Sequence, residues 1–340
     1  DGVEKVTGKA AFGADYSVPG MLVGLVLRSP HAHARIRSID TSKALALKGV
    51  KAVITAADLP DIPAGTVLGV PPVNYRDLSC NVMARGKVLY HGHTVAAVAA
   101  TSREAAKAAL SLIDVDYEVL PHVVDVEEAM TPDAPLVHED MYTNGVEPRP
   151  ERPSNIAKRV QFAIGDIDAG FAQADVVLER HFHTQPVHQG YIEPHAVVAD
   201  FGEDGQCRVW CSSQGHYMVR AKCARLLGLN ISDIRVTPLE IGGGFGAKTT
   251  VWLEPVALLL SKHAGRPVKM TMSREEVFRA TGPTSGSAMR VKIGVTKAGK
   301  VTAAQAELKY QAGAFPGSPV MAGAMCAFAA YDVETVDVVG

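Results

Sequence analysis

A cluster of glycines is the part of this sequence whose residue types and spacing point most directly to chemistry. Four glycines lie within the five positions from Gly242 to Gly246, and only Phe245 interrupts them. Because glycine has no side chain, such a loop leaves backbone N–H groups accessible, and proteins hold phosphates and other anionic cofactor groups in this way. The segment Gly242–Ala247 is therefore the first candidate for a binding site.

Regular elements are predicted on both sides of this loop. The alternating pattern that begins at Asp233 predicts a strand before it, and the apolar spacing of Thr249–Ser261 predicts a helix after it. A strand at Arg208–Ser212 and a helix at Tyr217–Leu227, ended by Gly228, come before this unit. The mixture of strands and helices along the chain indicates an α+β fold.

Two known anion-binding patterns come close to the loop. It matches the dinucleotide fingerprint G-x-G-x-x-A from Gly242 to Ala247, but no acidic residue follows at about twenty positions to hold a ribose. It also approaches the P-loop pattern, except that Ala247 stands where a glycine normally precedes the lysine. The loop alone leaves both patterns open, together with a tight turn that binds nothing.

Four segments give the sequence a family resemblance. The letters IGGGFGAK at Ile241–Lys248 resemble the pterin-cofactor loop of the molybdenum hydroxylases, the group of xanthine oxidase, aldehyde oxidoreductase and CO dehydrogenase. The first 34 residues resemble the α/β hammerhead domain that opens the molybdenum-binding subunit of this family. Gln185–His195 resembles the segment that opens the cofactor-binding region, and Trp210–Gly215 resembles a strand end that carries a glutamine beside the metal. The four segments occur in the family's order.

The resemblance implies a domain organisation. An α/β hammerhead domain is expected at residues 1–120, and the N-terminal portion of the molybdopterin-cofactor-binding domain is expected at residues 156–340. Residues 121–155 contain six prolines and several charges, which predicts a linker between the two domains. Within the first domain, Thr101 and Glu104 form a predicted capping box for a helix at Ser102–Ile113.

Four cofactor-binding residues follow from the resemblance. Gly243, Gly244 and Phe245 are expected to lie against the cofactor, with the glycine N–H groups near an anionic group and the Phe245 ring excluding water on the substrate side. Gln214 is expected to hydrogen-bond an oxygen of the cofactor through its amide. The simpler alternatives are a core-filling role for Phe245 and a backbone-capping role for Gln214. For Glu193, a supporting role behind the site and a purely structural role both stay open.

The implied cofactor is molybdenum–molybdopterin, either plain or as the cytosine dinucleotide. In this family the pterin holds the metal, so no direct metal ligand is expected from the protein. The family's catalytic base is a glutamate far toward the C-terminus. No motif that carries it occurs before Gly340, so no catalytic residue is expected in this chain. The expected partners are a C-terminal molybdopterin-domain segment or subunit, an Fe–S subunit and an FAD subunit, with the Fe–S clusters and FAD on those partner chains.

The implied reaction is the oxidation of a small-molecule substrate with oxygen derived from water. The substrate class is an aldehyde, an N-heteroaromatic compound or CO. Purine-oxidising relatives place a glutamate directly after the loop lysine, whereas this chain has Thr249, which argues against xanthine. Two alternatives from other classes stay open: a nucleotide-binding protein that uses Gly242–Thr249 for NAD or ATP, and a non-catalytic structural subunit.

Composition argues against several other kinds of partner. The 34 Lys and Arg residues and 36 Asp and Glu residues give a net charge of −2 without a basic run, so nucleic-acid binding is not expected. The mostly apolar stretches are too short to span a bilayer. Five cysteines without a C-x2-C pair argue against an Fe–S cluster in this chain and indicate free thiols, which predicts a cytoplasmic location. Three H-x-H pairs without a nearby carboxylate are predicted to be ordinary hydrogen-bonded histidines: His31/His33, His91/His93 and His181/His183.

Overall fold

The computed structural model describes residues 2–69 and 72–340. Contacts between residues divide the chain into two compact units, and each unit combines two separated segments. The first unit contains the residues up to Leu120 together with His188–Pro283, and the second contains Pro121–Val187 together with Thr284–Gly340. Both units contain sheets and helices, and the predicted α+β class is confirmed.

The compact units differ from the sequential domains predicted above. Residues of the predicted domain 156–340 lie in both units, and the predicted linker 121–155 belongs to the second unit, where it contains a short helix. Compactness and the bounds of sequence domains are different properties, so the boundaries at residues 120 and 156 stay a prediction.

The regular elements are named in chain order. The strands are β1 (Leu22–Arg28), β2 (Ala34–Asp40), β3 (Val50–Thr55), β4 (Val67–Leu68), β5 (Val73–Asn74), β6 (Lys87–Val88), β7 (Thr94–Ala100), β8 (Asp114–Val119), β9 (Gln161–Ile164), β10 (Val176–Thr184), β11 (Ala196–Phe201), β12 (Cys207–Cys211), β13 (Ile234–Pro238), β14 (Val268–Thr271), β15 (Ser287–Val295), β16 (Val301–Tyr310) and β17 (Val336–Val339). The helices are α1 (Gly2–Val6), α2 (Ser42–Ala46), α3 (Tyr75–Val82), α4 (Arg103–Leu110), α5 (Val126–Ala129), α6 (Ile167–Ala172), α7 (His216–Leu227), α8 (Glu254–Ala264), α9 (Arg274–Ala280) and α10 (Val320–Cys326).

The main sheet of the first unit has the strand order β13–β12–β11–β14–β1–β7–β3. β1 is parallel to β14, with Leu22 opposite Val268, and antiparallel to β7. All residues of β7 are buried because α8 belongs to the apolar cluster on one face of this strand and α4 to the cluster on the other. Burial of these apolar faces is the main stabilising contribution to the unit.

Two parallel strands bring the candidate site segments to one edge of this sheet. β12 and β13 pair in parallel, with Cys207 opposite Ile234 and Cys211 opposite Pro238. Because neighbouring parallel strands end at the same edge of a sheet, the segment after β12 lies beside the loop after β13. This is the edge at which open α/β sheets commonly bind ligands.

The second unit has a sheet of its own, with the order β10–β15–β16–β17–β9. β15 and β16 form an antiparallel hairpin, and β17 adds to it in parallel. A small apolar cluster forms the core where α10 packs near β16 and β9: Val160, Ala306, Leu308, Val320, Ala324 and Val338.

The helix after the glycine loop begins later than predicted. α8 starts at Glu254 and not at Thr249, so the prediction of a helix directly behind the loop is wrong. Lys222 explains part of the difference, because its Nζ donates to the Thr249 carbonyl and to the Thr250 hydroxyl, each at 3.1 Å. These bonds from α7 hold the segment in an irregular conformation that its own apolar spacing does not reveal.

The first-unit helix α4 is also shorter than predicted. Its N-cap is Ser102, whose hydroxyl accepts a hydrogen bond from the Ala105 N–H at 3.1 Å, so the assignment of Thr101 as the capping residue is wrong by one position. The helix ends at Leu110 rather than at Ile113, because the chain continues in tighter turns, in which the N–H groups of Leu112 and Ile113 donate to the carbonyls of Ala109 and Leu110.

The histidine pairs belong to no metal-binding cluster among the described residues. No group of three or more potential metal-ligating side chains occurs in the part of the chain that the structure describes. The His93 ring shows a structural role: Nδ1 accepts from the Leu89 N–H at 3.2 Å and Nε2 lies 2.8 Å from the Cys80 carbonyl oxygen. Burial lowers the pKa of His93 to about 4, so this ring is neutral. Among residues 2–69 and 72–340, no helix has the length and apolar character needed to cross a membrane.

Candidate functional site

The glycine loop is tied to the strand end beside it. The Leu239 N–H donates to the Cys211 carbonyl at 3.1 Å, and the Gln214 N–H donates to the Lys248 carbonyl at 2.9 Å. The end of β12 and the segment after it therefore contact the chain just before and just after the loop. This pairing sets the separation between the two ends.

Three consecutive N–H groups at the centre of the loop have no partner in the part of the chain that the structure describes. Gly243, Gly244 and Phe245 donate no backbone hydrogen bond to any other residue in the described ranges. Gly243 has a φ of +96° and Phe245 a φ of 50°. Backbone that mixes left-handed and ordinary residues is typical of the concave N–H nests that bind anions.

Gln214 supports the loop through its side-chain oxygen. Its Oε1 accepts hydrogen bonds from the Gly246 N–H at 2.9 Å and from the Lys248 N–H at 3.2 Å. A Cβ at Gly244 would lie 2.5 Å from the same oxygen, which explains the need for glycine there. The Gln214 side-chain oxygen thus caps backbone N–H groups, as the simpler alternative expects. The Gln214 Nε2 has no partner within the described part of the chain.

Phe245 lies at the surface of the loop. Its side chain is 73% exposed, so the core-filling alternative is wrong. A phenylalanine with positive φ is uncommon, and such backbone costs about 1–3 kcal/mol and concentrates at functional sites. The exposed ring and the strained backbone both favour a role toward a bound group.

A buried ion pair lies beneath the loop. The Lys248 Nζ and Glu193 Oε2 are 2.6 Å apart, and the two side chains are 0% and 8% exposed. Glu193 Oε2 also accepts from the Gly242 N–H at 2.8 Å, and its Oε1 accepts from the Gly13 N–H at 3.1 Å. The Glu193 N–H in turn donates to the Gly242 carbonyl at 3.2 Å.

A layer of aromatic and polar side chains surrounds this pair. The Lys248 Nζ lies 5.1 Å from the centre of the Tyr191 ring, and the Tyr191 hydroxyl lies 2.8 Å from His195 Nε2 and 3.2 Å from the Thr281 hydroxyl. Burial, and next the charge of Lys248, lower the pKa of His195 to about 3, so His195 is neutral. Arg274 donates to the Tyr191 carbonyl at 2.8 Å and fixes this layer from the side.

The far end of the loop also rests on buried polar groups. The Trp252 Nε1 donates to the Ala247 carbonyl at 3.2 Å, next to the Lys222 contacts with Thr249 and Thr250. Burial lowers the pKa of Lys222, and it raises the pKa of Glu254, which accepts from the Trp252 N–H at 2.9 Å. The loop is therefore held from below along most of its length.

The structure brings the four predicted site residues together, because Gln214 contacts the loop that contains Gly243, Gly244 and Phe245. Sequence reasoning missed the role of Lys248 and left Glu193 open. The two residues are 55 positions apart, and only the fold joins them. The available signal was their position inside two of the family-like segments.

Two family models match the chain. The molybdopterin cofactor-binding domain matches residues 148–340. The a/b hammerhead domain of aldehyde oxidase and xanthine dehydrogenase matches residues 7–121. The two matches follow each other in the order that the sequence motifs predict.

Individual proteins show the same similarity. The nicotinate dehydrogenase large molybdopterin subunit of Eubacterium barkeri is 35% identical over 315 residues, which cover 93% of this chain and 69% of that protein. The carbon monoxide dehydrogenase large chain of Afipia carboxidovorans is 38% identical over 315 residues, covering 91% of this chain and 38% of the relative. The crystal structure of quinoline 2-oxidoreductase from Pseudomonas putida 86 superimposes with a TM-score of 0.84 at 27% identity, over 99% of this chain and 42% of that one.

The chain thus spans 69% of one of these relatives and 38% and 42% of the other two. The matched models, the identity to curated proteins and the shared fold agree with the motifs read from the sequence. The chain belongs to the molybdenum hydroxylase family, and it is the part of the large subunit that contains the hammerhead and molybdopterin cofactor-binding domains.

Proposed function

We propose that this chain is the molybdopterin-binding part of a molybdenum hydroxylase that oxidises an aldehyde, an N-heteroaromatic compound or CO with oxygen derived from water. The observation that carries the proposal is the row of N–H groups at Gly243, Gly244 and Phe245, which find no acceptor among the described residues. With the Gln214 Nε2 they form a set of donors that have no acceptor within residues 2–69 and 72–340. Such a set fits an anionic pterin cofactor.

In this proposal, the residues of the chain bind and orient the cofactor. Gly243 and Gly244 donate their N–H groups to it, and Gln214 donates through Nε2 while its Oε1 keeps the loop in place. The Phe245 ring excludes water beside the reacting centre. When bound, the cofactor supplies the two-electron redox chemistry of the reaction, and the protein supplies binding, orientation and electrostatics. No side chain of this chain is proposed to ligate the metal.

Two structural features argue against the nucleotide-binding alternative. A P-loop lysine must reach bound phosphates, but the Lys248 Nζ is buried against Glu193. The dinucleotide pattern places its anion at a helix N-terminus directly after the glycines, but α8 begins only at Glu254. The other alternative is a non-catalytic subunit that keeps the fold. The measurement of cofactor content described below distinguishes this alternative from the proposal.

The substrate and the partners are part of the same proposal. The Thr249 hydroxyl donates to the Gly246 carbonyl at 2.6 Å. Because Thr249 offers no carboxylate where purine-oxidising relatives place a glutamate, we propose a substrate other than xanthine. We propose that a further molybdopterin-domain segment or subunit supplies the catalytic base, and that electrons leave through Fe–S clusters and FAD on partner chains. Support comes from the large share of the longer relatives that this chain does not span. A cytoplasmic location and a cytosine dinucleotide form of the cofactor remain predictions of the family resemblance.

Cofactor content tests the proposal most simply. The chain is purified from cells that make molybdenum cofactor, together with the polypeptides that co-purify with it. Metal analysis and pterin fluorescence after acid oxidation should show molybdenum and pterin in equimolar amounts. Bound NAD or ATP would support the nucleotide alternative, and a complete complex without molybdenum and pterin would support a structural subunit.

A further inference from the structure

We propose that Glu193 is a positioning residue, which fixes the glycine loop in the conformation that binds the cofactor, and that Lys248 holds the Glu193 carboxylate in place. The proposal rests on the proposed function, because it assigns a task to a side chain beneath the same loop. Neither residue is assigned to contact the cofactor itself.

The contacts of Glu193 join three separate segments of the first unit. Its two carboxylate oxygens accept from Gly13 near the start of the chain, from Gly242 at the start of the loop and from Lys248 at the end of the loop. Only a carboxylate offers enough lone pairs in one place for these three donors. A single side chain thus sets the positions of both ends of the loop relative to the N-terminal segment.

Glu193 and Gln214 together determine which loop N–H groups stay available. Glu193 accepts from the N–H of Gly242, immediately before the three groups without partners. Gln214 accepts from the N–H of Gly246, immediately after them. The two side chains therefore bracket Gly243–Phe245 and leave these groups for a ligand. The backbones also lie close, because a Cβ at Gly242 would be 2.6 Å from the Glu193 Cβ.

Loss of either charge of the Glu193–Lys248 pair would leave the other charge buried without its partner. The Lys248 side chain is fully buried and Glu193 nearly so. A buried charge without its partner is strongly destabilising, whereas replacement of both partners by apolar residues is often close to neutral. A double substitution can therefore remove the contacts to the loop while the unit remains folded.

The test compares two double variants that differ in one acceptor. Glu193→Leu with Lys248→Met removes both charges and every acceptor for Gly242. Glu193→Gln with Lys248→Met also removes both charges, but its amide oxygen can still accept from the Gly242 N–H. The matched control is Arg37→Met with Glu118→Leu, which removes another ion pair of the first unit, 3.6 Å long, between the neighbouring strands β2 and β8.

Two readouts are measured on the purified chain with its partners: amide hydrogen exchange of the peptide that spans residues 239–250, and molybdenum and pterin content. We expect the Leu/Met variant to exchange at least tenfold faster in this peptide and to lose most of its cofactor. The Gln/Met variant should recover much of both, and the control should match the wild type.

Equal exchange and equal cofactor content in the two double variants would overturn the proposal, because the pair would then serve stability alone. If the Leu/Met variant does not fold, the Gln/Met variant still tests the proposal. A Gln/Met variant that unfolds like the wild type but whose loop amides are unprotected would overturn the proposal. Exchange is measured on cofactor-containing and on cofactor-free protein, because a pterin bound to the Gly243–Phe245 N–H groups would itself slow their exchange; the cofactor-free comparison isolates the effect of Glu193 on the loop. A wild-type complex without molybdenum would therefore refute the proposed function and still leave the role of Glu193 decided by the exchange data.

Discussion

Replacing Gly244 with alanine tests how the loop is held, because the structure predicts that the new methyl group acts through one neighbour. The added Cβ would lie 2.5 Å from Gln214 Oε1 and 2.9 Å from its Cδ. A glutamine side chain can swing away, so the clash itself is relieved. The cost comes from the two hydrogen bonds to Gly246 and Lys248 that Oε1 must then give up.

The magnitude follows from these two bonds. A net contribution of about 0.5–1.5 kcal/mol for each gives about 1–3 kcal/mol. Gln214 is exposed, so water can replace part of the loss, and we expect about 1–1.5 kcal/mol. For a unit of this size, that loss lowers the melting temperature by about 2–6 °C. Gln214→Ala should have a similar effect, because it removes the same bonds.

The double variant provides the decisive comparison. Once Gln214 is alanine, the methyl group at Gly244 has nothing to displace, so the double variant should be no less stable than Gln214→Ala alone. Urea unfolding followed by tryptophan fluorescence is the assay, since both tryptophans, Trp210 and Trp252, lie in the first unit. Gly282→Ala is the control, because its Cβ would meet nothing within 4 Å. Additive losses for Gly244→Ala and Gln214→Ala would refute the reasoning.

Two further predictions concern turnover and pH. In the complete complex, Gln214→Ala should lower kcat by up to about 10²-fold with little change in KM, because a preorganised donor acts mainly on the transition state. Gln214→Glu should be slower still. Equal kcat values in the wild type and both variants at equal cofactor content would contradict this prediction. The pKa of His195 is lowered to about 3, below the 6.5 of the unfolded chain, so the unfolded chain binds the extra proton and stability is lost as the pH falls below 6.5. Between pH 7 and pH 5 the wild type should lose about 2 kcal/mol more than His195→Asn in urea unfolding, and parallel pH curves would contradict the neutral, buried histidine.

Local signals were enough to predict several elements. Helix α7 ends at Gly228, which has the left-handed φ of 66° that a helix terminator requires. The strand predicted at Arg208–Ser212 lies one residue earlier, at Cys207–Cys211, where buried and more exposed residues alternate. The cluster from Gly242 to Gly246 identified the loop because glycines in such density have few other uses. These features depend on neighbouring residues in the sequence, so the sequence contains the information.

Two features that the sequence did not reveal depend on distant residues. The start of α8 is delayed by Lys222, more than thirty positions before Glu254, and the loop is held by Glu193, 55 positions before Lys248. No periodicity shows such contacts. Nothing in the sequence around Lys248 or Glu193 shows whether either side chain faces solvent or is buried.

The central claim is that the glycine loop binds the pterin cofactor, and the most direct test is the cofactor content of Gly244→Val. The branched side chain would collide with Gln214, whose Oε1, Cδ and Cγ lie 2.5, 2.9 and 3.2 Å from a Cβ at this position. Molybdenum and pterin are quantified in this variant and in the wild type after identical purification, with unfolding curves to confirm that the variant is folded. We predict a folded variant that has lost its molybdenum and pterin. A folded variant with the full wild-type complement of both would contradict the assignment of this loop.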